Sequence, residues 1–247
     1  MKKSELLLQR RQHRGDALGS ALNFLLNFSQ YARFMREFLP MRAEKHDVLQ
    51  VAMKTYIIAM AACLETFFRD LYLSILERNP SLTQQVLWAN PRRDGDAAVQ
   101  RYLGEGVPLS ELAAAQVSFQ NAESIDRNLS VFFADKTFFK ALGDFELLCA
   151  IPRAKKPGLA QMKLFPDWQN HLARIFALRH EFAHDGNSKT VVDPQEMDLL
   201  ETTAILICQM AGFLEPFGRG NLASGENTVP VLFLIADLIA DDWEVVE

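Results

Sequence analysis

The sequence predicts an all-α fold, an antiparallel helical bundle of four to five long helices with a helical and loop insertion. Apolar residues recur at three- and four-residue steps through every long segment, and helix start and stop signals bracket those segments. No period of roughly 20 to 50 residues repeats, which argues against a solenoid. With 247 residues, 49% of them apolar and 23% charged, the chain is long enough to bury a sizeable core. The expectation is a single domain over 1–247, with core helices at about 17–78 and 166–217 and the insertion at about 81–160.

The first helix runs from Ala17 to Leu39, where Leu18, Leu22, Leu25, Leu26, Phe28, Phe34 and Phe38 keep the helical step until Pro40 ends it. A longer one covers about Ala43 to Arg78, from Val48 through Leu64 and Phe68 to Ile75, and Asn79-Pro80 stops it. Residues 81 to 126 are punctuated by Pro91, Gly95, Gly104, Gly106 and Pro108, which leaves short helical pieces such as Leu109 to Phe119. Further short helices are expected at Ser124 to Phe133 and Lys136 to Leu142, ahead of a basic loop, Pro152-Arg153-Ala154-Lys155-Lys156-Pro157-Gly158.

Long helices then return. Pro166-Asp167 opens one that is expected to reach about Asp185 and close at Gly186, a residue able to take the left-handed conformation. Asp193-Pro194-Gln195-Glu196 reads as a capping box with proline at the first helical position, launching a helix to about Phe217. The apolar run from Val229 to Ala236 fits a buried strand or a buried helix, with helix favoured, before an acidic tail of Asp241, Asp242, Glu244 and Glu247.

Composition narrows the function. A net charge of -5 argues against coating nucleic acid over the whole surface, because such binding releases counterions from a basic face; a local basic patch is still compatible. Cys63, Cys149 and Cys208 are odd in number, far apart and outside any C-x-x-C pair, so a reducing cytoplasm is expected and neither a disulfide framework nor a zinc knuckle is. The N-terminal apolar run, Leu6 to Leu8, is too short for a signal peptide. The longest apolar stretches fall short of the roughly 18 residues that span a bilayer, so no membrane partner is expected. Gly218-Arg219-Gly220 lacks the lysine and the preceding strand of a phosphate loop.

Chemistry concentrates in Leu178-Arg179-His180-Glu181-Phe182-Ala183-His184-Asp185-Gly186, which places one arginine and two histidines in the last turns of a helix. As H-E-x-x-H, the segment resembles the zinc helix of metalloproteases, with His180 and His184 on one face and Glu181 as general base. The downstream sequence does not extend that pattern. Asn187 stands where the longer signature has glycine, no histidine follows His184, and a third ligand would have to be Glu196 or Glu201.

As R-x4-H with a polar residue directly after the arginine, the segment resembles HEPN domains, especially the sub-group whose motif reads Arg-His-x-apolar-small-His, as in the RiboL-PSP and MAE types. Upstream, Ala62-Cys63-Leu64-Glu65-Thr66-Phe67-Phe68-Arg69-Asp70-Leu71 is similar to the early helix of that family, in which an acidic residue lies near the arginine and histidine. The resemblance covers the helices at 43–78 and 166–217 and not the insertion. It implies metal-independent RNA cleavage without a cofactor, at a site assembled by a homodimer, in a toxin or effector of a bacterial defence or toxin-antitoxin system with an antitoxin or defence partner. His184 would then be general base or acid, Arg179 the phosphate clamp, His180 a positioning residue and Glu65 the acidic neighbour. The residue types suit that chemistry, since histidine titrates near neutral pH and arginine stays charged.

On an ideal helix Arg179 and His184 stand about 140° apart, so they converge only if the helix end distorts or a second protomer contributes. Two blander readings compete. Cations at a helix C-terminus are favoured by the macrodipole alone, and Glu65, Arg69 and Asp70 would serve equally as an internal ion pair. A silent HEPN scaffold, kept for dimerisation or partner binding, is the alternative to an enzyme. His13, His46 and His171 lie outside any motif, and the basic loops around Arg92-Arg93 and Lys155-Lys156 lack the interleaved aromatics of a base-stacking surface.

Overall fold

The first long segment winds one set of apolar residues inward, with Ala21, Phe24, Leu25, Phe28, Ala32 and Met35 buried, whereas Leu22, Leu26 and Phe34, expected on the same apolar step, are exposed. They belong to helix α1 (Ala17–Phe38), which packs along α2 (His46–Arg78). Two more long helices, α8 (Trp168–His184) and α9 (Pro194–Phe213), complete the core. The computed structural model describes Glu5, Leu7 and residues 17–40, 46–89, 95–133, 135–149, 158–185 and 187–214. Among them are nine α-helices and one two-stranded sheet, so the fold is all-α in character.

The C-terminal half of helix α9 is buried on all sides. Every residue from Thr203 to Phe213 is shielded, because α1, α2 and α8 each pack against it. Lys54 meets Phe182 while Glu65 meets Arg179, so α2 and α8 run antiparallel. Helix α2 is long and apolar enough over Asp47–Arg78 to cross a membrane by length and composition, but half of its most apolar window is buried in the bundle, as a core helix would be.

The insertion comprises α3 (Pro80–Ala89), α4 (Gly95–Gly104), α5 (Leu109–Ala114), α6 (Ala122–Ser130) and α7 (Phe138–Asp144), followed by strands β1 (Glu146–Cys149) and β2 (Gly158–Gln161). Aromatic contacts fasten it to the C-terminal half of α2 and the start of α8: Tyr72 with Phe119 and Phe132, Phe68 with Phe138, and Phe139 with Trp168, at centroid distances of 5.1 to 6.2 Å. The C-terminal end of α8, with the Arg-His segment, is left at the other end of that helix.

Several elements differ from the sequence expectation. Pro80 ends α2 and also opens α3, since proline suits a first helical position where no backbone donor is needed. Helix α5 stops at Ala114 rather than reaching Phe119, tightening through Gln116 N–H to Ala113 O (3.1 Å). Strands β1 and β2 pair antiparallel, Glu146 with Gln161 and Cys149 with Gly158, and four residues each are too few for alternation to stand out. At α9 the Asp193 side chain accepts from Gln195 N–H (2.7 Å), but Glu196 bonds Arg174 (2.9 Å), so the reciprocal half of the expected capping box is replaced by an ion pair to α8. Asp167, just before α8, takes a left-handed φ of 66°, which aspartate tolerates better than most residues. The expected 229–236 segment, the acidic tail, both basic loops and Gly186 lie outside the described residues.

One buried charge ties the bundle together. The Glu201 side chain is fully buried on α9 and is met by Arg36 of α1 at 2.6 Å and 3.4 Å. Burial pushes the Glu201 carboxyl up against the pull of Arg36, so its neutral form gains in the folded protein. Arg36→Ala is expected to destabilise the protein by about 3 kcal/mol at neutral pH, because a buried carboxylate loses its partner. The loss should shrink as pH falls below the raised carboxyl value and grow as pH rises through it. Urea unfolding at acid and neutral pH measures both, and an equal loss at the two would count against the buried charge as its cause.

Candidate active site

Helix α8 turns Leu178 into the core, and the next positions emerge from it. Arg179 is partly shielded, with its side chain 27% exposed, while His180 and His184 are exposed. Arg179 Nη2 stands 3.4 Å from Oε1 of Glu65 on α2, whose side chain is 14% exposed. That oxygen has no hydrogen-bond partner, so the charge of Arg179 is what offsets its burial. Burial raises the Glu65 carboxyl above its ordinary value, opposed first by Arg179 and then by Arg69. Only one terminal nitrogen of Arg179 faces Glu65. A guanidinium carries five donors, so the pair orients it and leaves donors for an incoming phosphate.

The two imidazoles stack loosely, with centroids 4.7 Å apart and planes tilted by 54°. The helix stays regular up to them: Asp185 N–H donates to Glu181 O at 2.8 Å, and helical structure ends at His184, one residue short of the expected Asp185. No distortion brings Arg179 and His184 together within one chain. The structure therefore pairs Glu65 with Arg179 and His180 with His184.

Glu181, the would-be general base of a zinc protease, is occupied differently. Its carboxylate accepts hydrogen bonds from the hydroxyls of Ser188 and Thr190 (2.5 Å for the latter), which hold the carboxyl below its ordinary range. Lys54 donates to Ser188 O at 2.7 Å and sits over the Phe182 ring, and Gln50 exchanges two 3.0 Å hydrogen bonds with the backbone of Val192. These contacts fasten the segment after α8 to α2, and with it the end of the helix that carries His184. Sequence reasoning missed Lys54, Gln50, Ser188 and Thr190.

The proposed third zinc ligands are engaged elsewhere, Glu196 with Arg174 and Glu201 with Arg36. Among the described residues no group of three His, Cys, Asp or Glu stands together as a metal site. No family model, curated protein or solved structure matches this chain.

Because the Glu181 carboxyl is lowered, what it contributes is present above the ordinary glutamate range and lost as pH falls through the lowered value. The amide resonances of Ser188 and Thr190 are expected to titrate together below that range, and Glu181→Gln should abolish the titration. Amides indifferent to acid would show that the carboxylate does not hold the segment.

Proposed function

We propose that the chain is a metal-independent endoribonuclease of HEPN type, acting at a site that two copies complete. The observation that carries this reading is the arrangement on α8: a guanidinium held by a part-buried carboxylate, and, about 140° around the same regular helix, an exposed histidine. RNA cleavage through its own 2'-hydroxyl needs both a fixed cation and a group that titrates near neutrality. In this mechanism His184 of one copy takes the 2'-hydroxyl proton, the 2'-oxygen bonds to phosphorus, and Arg179 of the other copy carries the phosphorane charge. The P–O5' bond then breaks and the 5'-oxygen takes a proton from solvent. His180, against His184, positions that ring, and Glu65 positions Arg179. By its resemblance the protein would serve as a toxin or effector in a bacterial defence or toxin-antitoxin system, restrained by a partner protein.

Purified protein incubated with single-stranded RNA tests the reading. Fragments ending in a 2',3'-cyclic phosphate, with the new 5' ends as free hydroxyls, are expected, undiminished by EDTA. Stoichiometric zinc in the protein, with activity lost on chelation, would overturn it in favour of the zinc enzyme. Intact RNA under all conditions would leave only the silent scaffold.

A further inference from the structure

On the side of α2 turned toward α1 lies an open groove of about 830 Å³, within the size range of pockets that hold small ligands. Asn23, Asn27 and Gln30 form one of its walls, at steps of four and three residues that align them in a single row along α1. Among the described residues none of these three amides is hydrogen-bonded to another side chain or to backbone. Tyr31, 44% exposed, adds an open aromatic ring to the same wall. Phe24 and Phe67 floor the groove, and Thr66 and Arg69 of α2 face it from the other side.

Chemistry and position select the occupant. An amide offers one planar donor and one planar acceptor, the pattern displayed by the edge of a nucleobase. An exposed tyrosine ring stacks on any base, and arginine binds phosphate through paired donors. A peptide would satisfy the amides equally well but would not call for the ring and the guanidinium together. Thr66 and Arg69 follow Glu65 on α2, and the charge of Arg69 acts on the Glu65 carboxyl that holds Arg179. Arg69 thus belongs to the wall of the groove and also acts on the ion pair of the candidate site. Asp70 and Glu111, which also line it, are already engaged with other residues.

We propose that this groove is a nucleotide subsite, in which a base of single-stranded RNA stacks on Tyr31 and is read by the amide row, with its phosphate on Arg69. The identity of the ligand rests on the ribonuclease reading above, whereas the groove's chemistry does not.

The test measures binding of a fluorescently labelled single-stranded RNA to full-length His184→Ala protein, which should bind without cutting. Tyr31→Ala and Asn27→Ala, added singly, are each expected to weaken binding about tenfold, and Tyr31→Phe to preserve it. Unchanged melting temperatures confirm that these exposed positions leave the core intact. The same strand annealed into a duplex should lose the Tyr31-dependent part, because its bases are already stacked and paired. Binding unaffected by both alanine variants, while the wild type cuts RNA, overturns the groove and leaves the ribonuclease reading standing. Tyr31-dependent binding by a protein that never cuts keeps the groove and removes the catalytic reading. A mononucleotide that competes as strongly as the RNA overturns the RNA assignment in favour of a free nucleotide, and no RNA binding at all overturns both.

Discussion

His184→Ala is expected to lower RNA cleavage by about a thousandfold or more, the range over which a positioned proton-transfer group acts. The effect should fall on the chemical step, so the rate under saturating RNA drops while RNA affinity changes little. Stability should hardly move. His184 is exposed in the last turn of α8, where loss of a side chain removes no core contact and costs at most a few tenths of a kcal/mol. His180→Ala should be milder, since that ring touches His184 and, in this scheme, transfers no proton. Quenched-flow or gel-based cleavage assays with each variant measure the difference. A His184→Ala protein as active as the wild type, or as toxic when expressed, would remove the proton-transfer role assigned to it.

The parts of the fold that were legible in the sequence are those set by local periodicity. Helices α1, α2, α8 and α9 were readable because their apolar residues repeat at the helical step over four or more turns. Among the short elements, α5, α6 and α7 overlap the short helices expected there, but β1 and β2 have only four residues each, and α3 begins at the very proline that ends α2. Pairings between distant residues were likewise invisible. Nothing near Arg36 announces Glu201, 165 positions away, and the expected cap at Glu196 gave way to Arg174 once α8 and α9 packed together.

The candidate site divides along the same line. Arg179, His180 and His184 stood out because they share one short segment, and Glu65 because its surroundings resemble the family's early helix. The geometry then joined Glu65 to Arg179. The zinc reading placed Glu181 as general base from spacing alone, since H-E-x-x-H is satisfied on a helix whatever the glutamate bonds to. Its partners Ser188 and Thr190 come from an aperiodic segment, where no pattern marks them. Asn23, Asn27 and Gln30 are indistinguishable in sequence from the solvated face of an amphipathic helix.

Mixing two inactive variants should restore cleavage if the site is shared between copies. Arg179→Ala removes the cation that stabilises the transition state and is expected to lower activity by about a hundredfold or more. Alone, neither it nor His184→Ala supports turnover. In a mixed dimer, however, one of the two symmetry-related sites would combine the intact arginine of one copy with the intact histidine of the other. Random pairing makes half the dimers mixed, each with one working site of two, so co-expression should recover about a quarter of wild-type activity. Differently tagged chains, each harmless by itself, allow the mixed dimer to be isolated and assayed directly. The α8 geometry motivates this expectation, because a helix that stays regular to His184 keeps that side chain and Arg179 on different faces. A mixed dimer as inactive as its parents would mean that each copy uses its own arginine and histidine, and that α8 must rearrange on binding RNA to bring them together.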